Sequence, residues 1–395
     1  MKLSEKWMAF IEEQAESDTN RLLLDAARYP EIDIPFVVDQ ILSRKKIREK
    51  LPSWYANKAL VFPTSLAAEQ CSSERTALYK QRLIRPGEHV CDLTGGLGVD
   101  TFAFSRKARQ VTYIERFERY ADTARTNFQT LGSANITVMQ GDGTELVSSL
   151  VGIDTFYLDP ARRGEGNKRV FALSDCEPDL TLLLPRLFER APRVIVKISP
   201  MADIDHTLTL LPDTTEVHVV AVRNECKELL FVMERSMKRK EVPIVCAHLK
   251  SGNDEDCFVF TTSEERTIVP VYAQKPENYL YEPNASLLKA GAFKLLTERY
   301  PVRKIQVNSH LYTSNRLILD FPGRIFCVEA VLPFSSSLAK RIAKEIPQAN
   351  ITVRNFPLSA EALRIKTRIK DGGNTYLFAT TLSDGERVLI QTKKG

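Results

Sequence analysis

The chain has 395 residues, of which 43% are hydrophobic and 27% charged, with a net charge of +5. This is the composition of a folded, multi-domain globular protein and excludes a disordered or low-complexity polymer. No apolar run reaches membrane-spanning length, and the opening Met1-Lys2-Leu3-Ser4-Glu5-Lys6-Trp7 lacks the apolar core of a secretory leader. Seven cysteines without C-x-x-C and five histidines without H-x-x-x-H give no metal-ligand pattern; they predict reduced thiols in a cytoplasmic protein.

In chain order, residues 1–85 have helical periodicity. Trp7, Phe10 and Ile11 begin one amphipathic stretch, and Leu22 to Leu24 with Ala26 and Ala27 form a second. Val37, Val38, Ile41 and Leu42 form a third, ending in Arg44-Lys45-Lys46. In Glu69-Gln70-Cys71-Ser72-Ser73-Glu74 the serines read as a helix N-cap, although the segment is also placed to close over a ligand. Thr76 to Lys80 leads to the turn Arg85-Pro86-Gly87.

Val90-Cys91-Asp92-Leu93-Thr94-Gly95-Gly96-Leu97-Gly98-Val99-Asp100 then reads as a buried strand, a glycine turn and a helix start. Such a unit binds nucleotide-like cofactors at the carboxyl end of the strand. The third glycine of G-x-G-x-x-G is replaced by Thr101, and Asp92 precedes the loop. A carboxylate there repels a pyrophosphate but suits an ammonium or sulfonium, which favours S-adenosylmethionine over NAD. Gln110 to Ile114 is a second strand ending in Glu115, roughly 20 residues on, where an acid accepts from ribose hydroxyls. A solvated acid at a strand end is the other reading. Arg119 to Leu131 is helical, and Ile136 to Met139 is a third strand before Gly141-Asp142-Gly143. Asp142 is either an adenine-amino acceptor or a turn residue.

The fourth strand, Ile153 to Leu158, ends in Asp159-Pro160-Ala161-Arg162-Arg163, followed by Gly164 and Gly166. Proline stiffens this edge, so carbonyls and the Asp159 carboxylate can hold an amino or imino group against a methyl donor. Arg162 and Arg163 are donors for phosphate or carboxylate. Arg193 to Ile198 is a fifth strand; Lys197 reads as snorkelling to the rim rather than facing a substrate. Glu216 to Val222 and Leu229 to Met233 read as an antiparallel closing pair, and Cys176 and Cys226 as inert buried thiols.

Beyond about residue 240 the pattern changes. Val242 to Leu249 and Cys257 to Thr262 are strands about a turn, and Tyr272 to Pro283 reads as a linker. Ala285 to Glu298 is helical, with strands at Lys304 to Val307 and Arg316 to Leu319. From residue 322 the order is strand, helix, strand, helix, strand, strand, a compact α+β pattern. It carries Lys340, Arg341, Lys344, Arg354, Arg364, Lys366, Arg368 and Lys370 among few acids. Clustered cations of this kind are the footprint of a phosphate-backbone grip; a solvated helix face is the alternative.

Taken together, the Glu69–Glu74 block, the Asp92–Asp100 loop, Leu158-Asp159-Pro160-Ala161-Arg162-Arg163, Val196-Lys197-Ile198-Ser199-Pro200-Met201, Glu225-Cys226-Lys227-Glu228-Leu229-Leu230 and Glu282-Pro283-Asn284-Ala285 resemble a known group. The chain is similar to class I S-adenosylmethionine-dependent methyltransferases, and within them to the bacterial family with a C-terminal THUMP-like domain, in its Bacteroidetes-type form with a ferredoxin-like domain. The resemblance implies an α/β fold: a Rossmann-like seven-stranded methyltransferase sheet whose last strand is antiparallel, an N-terminal helical region and a C-terminal α+β module. It implies domains at 1–85 (helical), 86–240 (methyltransferase), 241–277 (β-hairpin extension and linker), 278–321 (ferredoxin-like) and 322–395 (THUMP-like). It puts Asp92, Gly95, Gly96 and Gly98 at the methionine end of the cofactor, Glu115 at its ribose, Asp142 near adenine, and Asp159 and Pro160 at the substrate-facing motif. Base-amino methyltransferases carry an aromatic residue where this chain has Arg162. The expected activity is in-line methyl transfer to a base of structured RNA, rRNA or tRNA, with the eight basic residues holding the RNA. An RNA-binding maturation or assembly factor and a small-molecule methyltransferase are the two alternatives.

Overall fold

The computed structural model describes residues 3–162, 176–252 and 254–395. The chain forms two compact units, Met1–Thr215 with Glu228–Arg239, and Glu216–Lys227 with Lys240–Gly395.

The first unit opens with six helices: α1 (Glu5–Glu13), α2 (Thr19–Leu24), α3 (Ile34–Ile47), α4 (Pro52–Ala56), α5 (Ser65–Gln70) and α6 (Glu74–Gln81). The side chains of Ser4, Asp18, Asp33, Thr64 and Ser73 accept from first-turn N–H groups of α1, α2, α3, α5 and α6. These caps start short helices that propensity alone would not hold. Ile47, Leu51, Trp54, Leu60, Phe62, Ala68 and Ala77 share a core with Leu97, Val99 and Ala103, so the helices are packed onto the glycine-loop region. Buried Asn127 completes the join: Nδ2 donates to the Val61 carbonyl at 2.7 Å, and Oδ1 accepts from the Val61 amide at 2.9 Å.

There follow β1 (His89–Asp92), α7 (Val99–Ser105), β2 (Gln110–Glu115), α8 (Glu118–Thr130), β3 (Ile136–Gln140), α9 (Gly143–Leu146), β4 (Thr155–Leu158), β5 (Ala161–Arg162), β6 (Cys176–Glu177), α10 (Leu180–Arg190), β7 (Arg193–Ile198), α11 (Ile204–Leu210), β8 (Thr214–Val222) and β9 (Glu225–Glu234). Within the first unit the sheet order is β9-β7-β4-β1-β2-β3. All neighbours are parallel except β9, which runs antiparallel to β7. This is the Rossmann-like α/β sheet with an antiparallel closing strand that the sequence predicts. The apolar strands β1, β4 and β7 are buried almost throughout, as parallel strands covered on both faces must be. The direction of winding reverses at β1, which lies between β2 and β4. The crevice at the carboxyl ends of such strands is the ligand position of open α/β sheets.

In the second unit β8 pairs in parallel with β10 (Pro243–Leu249), which pairs antiparallel with β11 (Glu255–Thr261). After α12 (Thr262–Thr267) come β12 (Tyr279–Pro283), α13 (Ala285–Ala290), α14 (Leu295–Arg299), β13 (Arg303–Lys304), β14 (Tyr312–Ser314), β15 (Gly323–Pro333), α15 (Ser336–Glu345), β16 (Asn350–Arg354), α16 (Ala360–Thr367), β17 (Thr375–Thr381) and β18 (Arg387–Lys394). They build a seven-stranded sheet in the order β13-β14-β12-β15-β18-β17-β16.

Three sequence expectations change here. Residues 279–283 are not linker but β12, paired on both sides, with Leu280 and Tyr281 fully buried. The helix expected over Ala285 to Glu298 breaks at Gly291, which takes φ +81 as the C-cap of α13. The strand expected at Arg316 to Leu319 lies instead at Tyr312–Ser314. The Tyr281 hydroxyl donates to the Arg316 carbonyl at 2.7 Å and accepts from the Ile318 amide at 3.0 Å, so a side chain takes backbone groups that a ladder would need.

Candidate active site

A cleft of about 640 Å³ opens at the carboxyl ends of β1, β2 and β4 in the first unit. Among the described residues its lining holds seven carboxylates (Asp92, Asp100, Glu115, Asp142, Asp159, Glu177, Asp179) against two guanidiniums, Arg116 and Arg186. Arg116 is paired with Glu177 at 2.5 Å. The field therefore suits a cationic ligand and opposes a pyrophosphate.

The glycine loop is held by its own backbone. The Gly95 amide donates to the Ile114 carbonyl at 3.0 Å, and the Gly98 amide to the Gly95 carbonyl at 2.9 Å. The Tyr113 hydroxyl donates to the Gly96 carbonyl at 2.6 Å. A Cβ on Gly95 would lie 2.2 Å from the Tyr113 ring, and one on Gly98 2.6 Å from the Phe128 ring, with φ there at +83. Two of the glycines are thus demanded by rings packed beneath the loop. A Cβ on Gly96 meets no atom closer than the Thr94 carbonyl at 3.8 Å, so this position borders open space.

The acids are oriented around that loop. Buried Asp92 accepts from the Thr94 amide at 3.0 Å and the Thr101 hydroxyl at 2.6 Å. Burial outweighs those bonds and pushes its carboxyl up to about 7. Glu115 accepts from the Gly96 and Phe117 amides, each at 2.9 Å, so it clasps the glycine loop. Asp142 is exposed and caps α9; it accepts from the Thr144 hydroxyl at 2.6 Å and amide at 2.7 Å, and the Thr144 bonds hold its carboxyl below the usual range.

At the other end of the cleft the Asp159 amide donates to the Thr94 hydroxyl at 2.6 Å, and the Asp159 carboxylate is paired with Lys197. Pro160 is half-buried beside it. Arg162 lies on β5 opposite Cys176, while Arg163, Gly164 and Gly166 lie outside the described residues. Lys197 does not snorkel to the rim; it reaches Asp159, because three carboxylates surround it. Burial works to lower its pKa, but Asp159, Glu228 and Asp100 outweigh this and raise it above the ordinary lysine value.

Beneath this end lies a buried ionic cluster. The Lys80 ammonium, 1% exposed, sits 3.0 Å from Asp100 and 3.0 Å from Glu228 and donates to the Ser72 hydroxyl at 2.7 Å. Ser72 in turn donates to Asp100 at 2.8 Å, as does the Tyr157 hydroxyl. Tyr157 is therefore part of the buried structure. Burial raises the Glu228 carboxyl, whereas Asp100, despite its burial, is held low by Lys80 and Lys197.

In the second unit Lys340, Arg341, Lys344, Lys366, Arg368 and Lys370 are exposed. The other two predicted cations are partly occupied: Arg354 pairs with buried Glu282 at 2.9 Å, and Arg364 pairs with Asp371. Among the described residues no helix is long and apolar enough to cross a membrane, and no cluster of His, Cys, Asp and Glu could hold a metal ion.

A crystal structure from Porphyromonas gingivalis W83, described as a "putative methyltransferase", matches this chain at 39% identity over 100% of both chains, with a TM-score of 0.89. Residues 279–322 match the model of a ferredoxin-like domain and residues 323–394 that of a THUMP domain-like family. This chain belongs to the methyltransferase family that carries these two domains. Shorter stretches match curated methyltransferases. Sixty-seven residues are 37% identical to a protein-L-isoaspartate O-methyltransferase 2 of Rhodopseudomonas palustris (strain HaA2), covering 17% of this chain and 31% of that protein. Eighty-six residues are 36% identical to the 23S rRNA (uracil(1939)-C(5))-methyltransferase RlmD of Polynucleobacter necessarius subsp. necessarius (strain STIR1), covering 20% of this chain and 18% of that protein. The chain thus spans less than a third of the length of either curated relative.

Within this methyltransferase the five blocks quoted from its first 240 residues converge. Ser72, Asp100, Asp159, Lys197 and Glu228 come one from each block and meet in the cluster and ion pair at one end of the cleft. Residue reading alone passed over Lys80, Asp100 and Glu228. These three residues share no spacing and carry no local signal; only the fold brings them together. It also passed over Phe117, a 54% exposed aromatic lining the cleft two residues after Glu115.

Proposed function

We propose that the first unit binds S-adenosylmethionine in the cleft and transfers its methyl group to a base of structured RNA, rRNA or tRNA, in the cytoplasm. The observation that carries the reading is the acid-lined glycine cradle ending at Asp159-Pro160. The residues suit the group: an excess of carboxylates for its sulfonium and ammonium, an open position at Gly96, and an exposed ring at Phe117 for a purine. Asp92, Gly95, Gly96 and Gly98 would hold its methionine end, Glu115 its ribose, and Asp142 with Phe117 its adenine. The bound cofactor supplies an electrophilic methyl on a sulfonium.

The protein's own contribution is then to place the acceptor atom, which accounts for much of the rate in such displacements. Asp159 orients the acceptor group, Pro160 fixes the backbone that carries it, and Arg162 and Arg163 engage a phosphate or base edge. The exposed cations Lys340, Arg341, Lys344, Lys366, Arg368 and Lys370 hold RNA phosphates, with Arg354 and Arg364 steadied by their acids. RNA is favoured by the THUMP domain-like match and by the rRNA methyltransferase named above.

The test is transfer of labelled methyl from S-adenosylmethionine to total RNA, total DNA and protein from cells lacking the gene. Label in RNA that is lost with Asp159→Ala supports the reading. Full activity in Asp159→Ala removes it, and label confined to protein or small molecules moves the substrate to another class.

A further inference from the structure

Lys197 is a half-buried cation at the reacting end of the cleft that the reading above leaves without a task. Its side chain is 18% exposed, and its partner Asp159 is 33% exposed. The ammonium approaches Asp159 from the β7 side, while the Thr94 hydroxyl accepts from the Asp159 amide at 2.6 Å. Backbone and carboxylate of this one residue are thus pinned by different strands, Thr94 after β1 and Lys197 on β7. Lys80 makes the direct contacts to Asp100 and Glu228, while the carboxylate that Lys197 contacts directly is Asp159.

We propose that Lys197 is a positioning residue: it fixes the Asp159 carboxylate as an anionic hydrogen-bond acceptor, so the group methylated at this site carries an N–H donor, an amino or imino nitrogen of a base. The proposal rests on Asp159 facing the methyl acceptor. A carboxylate paired with an ammonium has lone pairs to offer and no proton to give. An acceptor atom without an attached donor, such as a ring carbon, would find nothing complementary there. Lys197 itself is not a base, because the surrounding carboxylates keep it protonated. Transfer to such a nitrogen forms the N–C bond as the C–S bond breaks with its electron pair on sulfur, and the displaced N–H proton leaves to water.

The test compares wild type, Lys197→Met, Lys197→Arg and Asp159→Asn as full-length proteins. Binding of S-adenosylhomocysteine by calorimetry checks each fold and cradle; it is expected to stay within about threefold in all four. Labelled-methyl transfer to total RNA from cells lacking the gene is expected to lose roughly 100-fold in kcat in Lys197→Met, with KM little changed, and to recover in part in Lys197→Arg. Mass analysis of the labelled nucleoside is expected to show N-methylation. Crystal structures with S-adenosylhomocysteine are expected to show the Asp159 carboxylate turned from its wild-type position in Lys197→Met and kept there in Lys197→Arg. Full kcat in Lys197→Met with Asp159→Asn inactive overturns the role of Lys197 alone. Full activity in Asp159→Asn overturns the underlying reading as well. A C-methylated product overturns the N–H assignment. Should no RNA take label, an unmoved Asp159 in the Lys197→Met structure overturns the positioning role.

Discussion

The two ends of the cleft are built from different material. At the glycine end the geometry is main-chain: amides of Gly95, Gly96 and Gly98 are spent on Ile114, Glu115 and Gly95, and rings of Tyr113 and Phe128 fill the space beneath. At the Asp159 end it is side-chain charge: Lys80 and Lys197 against Asp100, Glu228 and Asp159. A backbone-built end is intolerant of added atoms. A charge-built end accepts shape changes poorly in a different way, because removing one ion strands its partners in low dielectric.

The sharpest way to break that contrast is to remove one ion. Lys80→Met is expected to cost about 3–5 kcal/mol of stability, since Asp100 and Glu228 would be left without their shared cation. Urea unfolding measures it; a loss below 1 kcal/mol would mean that Lys197 carries the cluster alone. The matching change at the other end is Gly95→Ala, whose Cβ meets the Tyr113 ring. It is expected to cost about 1–3 kcal/mol and to weaken S-adenosylmethionine binding at every pH and salt concentration. Tyr113→Leu in the same chain should return part of the stability, which a purely ligand-facing role for Gly95 would not allow.

What was legible beforehand follows the same division. The glycine loop, Glu115 and Asp159-Pro160 are contiguous signals, and the strand–loop–helix pattern that carries them is local physics. Parallel apolar strands alternating with helices also made the α/β sheet readable, and its antiparallel closing strand was legible in the paired runs Glu216 to Val222 and Leu229 to Met233. The ionic cluster was not readable because its members lie on α6, α7, β7 and β9 and share no spacing. Lys197 was read as snorkelling since a lysine in an apolar strand has that escape by default; three carboxylates on other elements reverse the outcome. In the second unit the misreading of β12 has a similar origin. The prolines, tyrosines and asparagine of Tyr272 to Pro283 suggest a linker, yet Glu282 is buried with Arg324 and Arg354 meeting it from β15 and β16.

A milder perturbation sharpens the comparison by pH. At the glycine end burial raises the Asp92 carboxyl to about 7. Its folded value is raised above the ordinary 3.8, so ionising it opposes folding: stability from this group is full at low pH and falls as pH rises through about 7. A cationic ligand reverses the preference and requires the carboxylate. Binding of S-adenosylmethionine should therefore tighten about tenfold between pH 6 and pH 8, with proton release below pH 7 seen as a buffer-dependent calorimetric enthalpy. Thr101→Val removes a bond that favours the ionised form and should move the midpoint upward. A flat affinity across this range would show that Asp92 does not meet the ligand's charge.

The smallest expected effects lie on the second unit, where the exposed cations contribute to neither core. Lys340→Ala with Arg341→Ala should leave the unfolding free energy within about 0.5 kcal/mol of wild type. If these residues hold RNA phosphates, the double variant should bind RNA more weakly whatever its sequence, and the salt dependence of log K should fall by about one per charge removed. Arg354→Ala is the informative contrast. Its guanidinium is committed to Glu282, so its loss should weaken RNA binding and stability together, because a buried carboxylate loses one of its two partners. Equal salt slopes for wild type and the double variant would leave these cations as solvated surface and return the choice of RNA to the helices of the first unit.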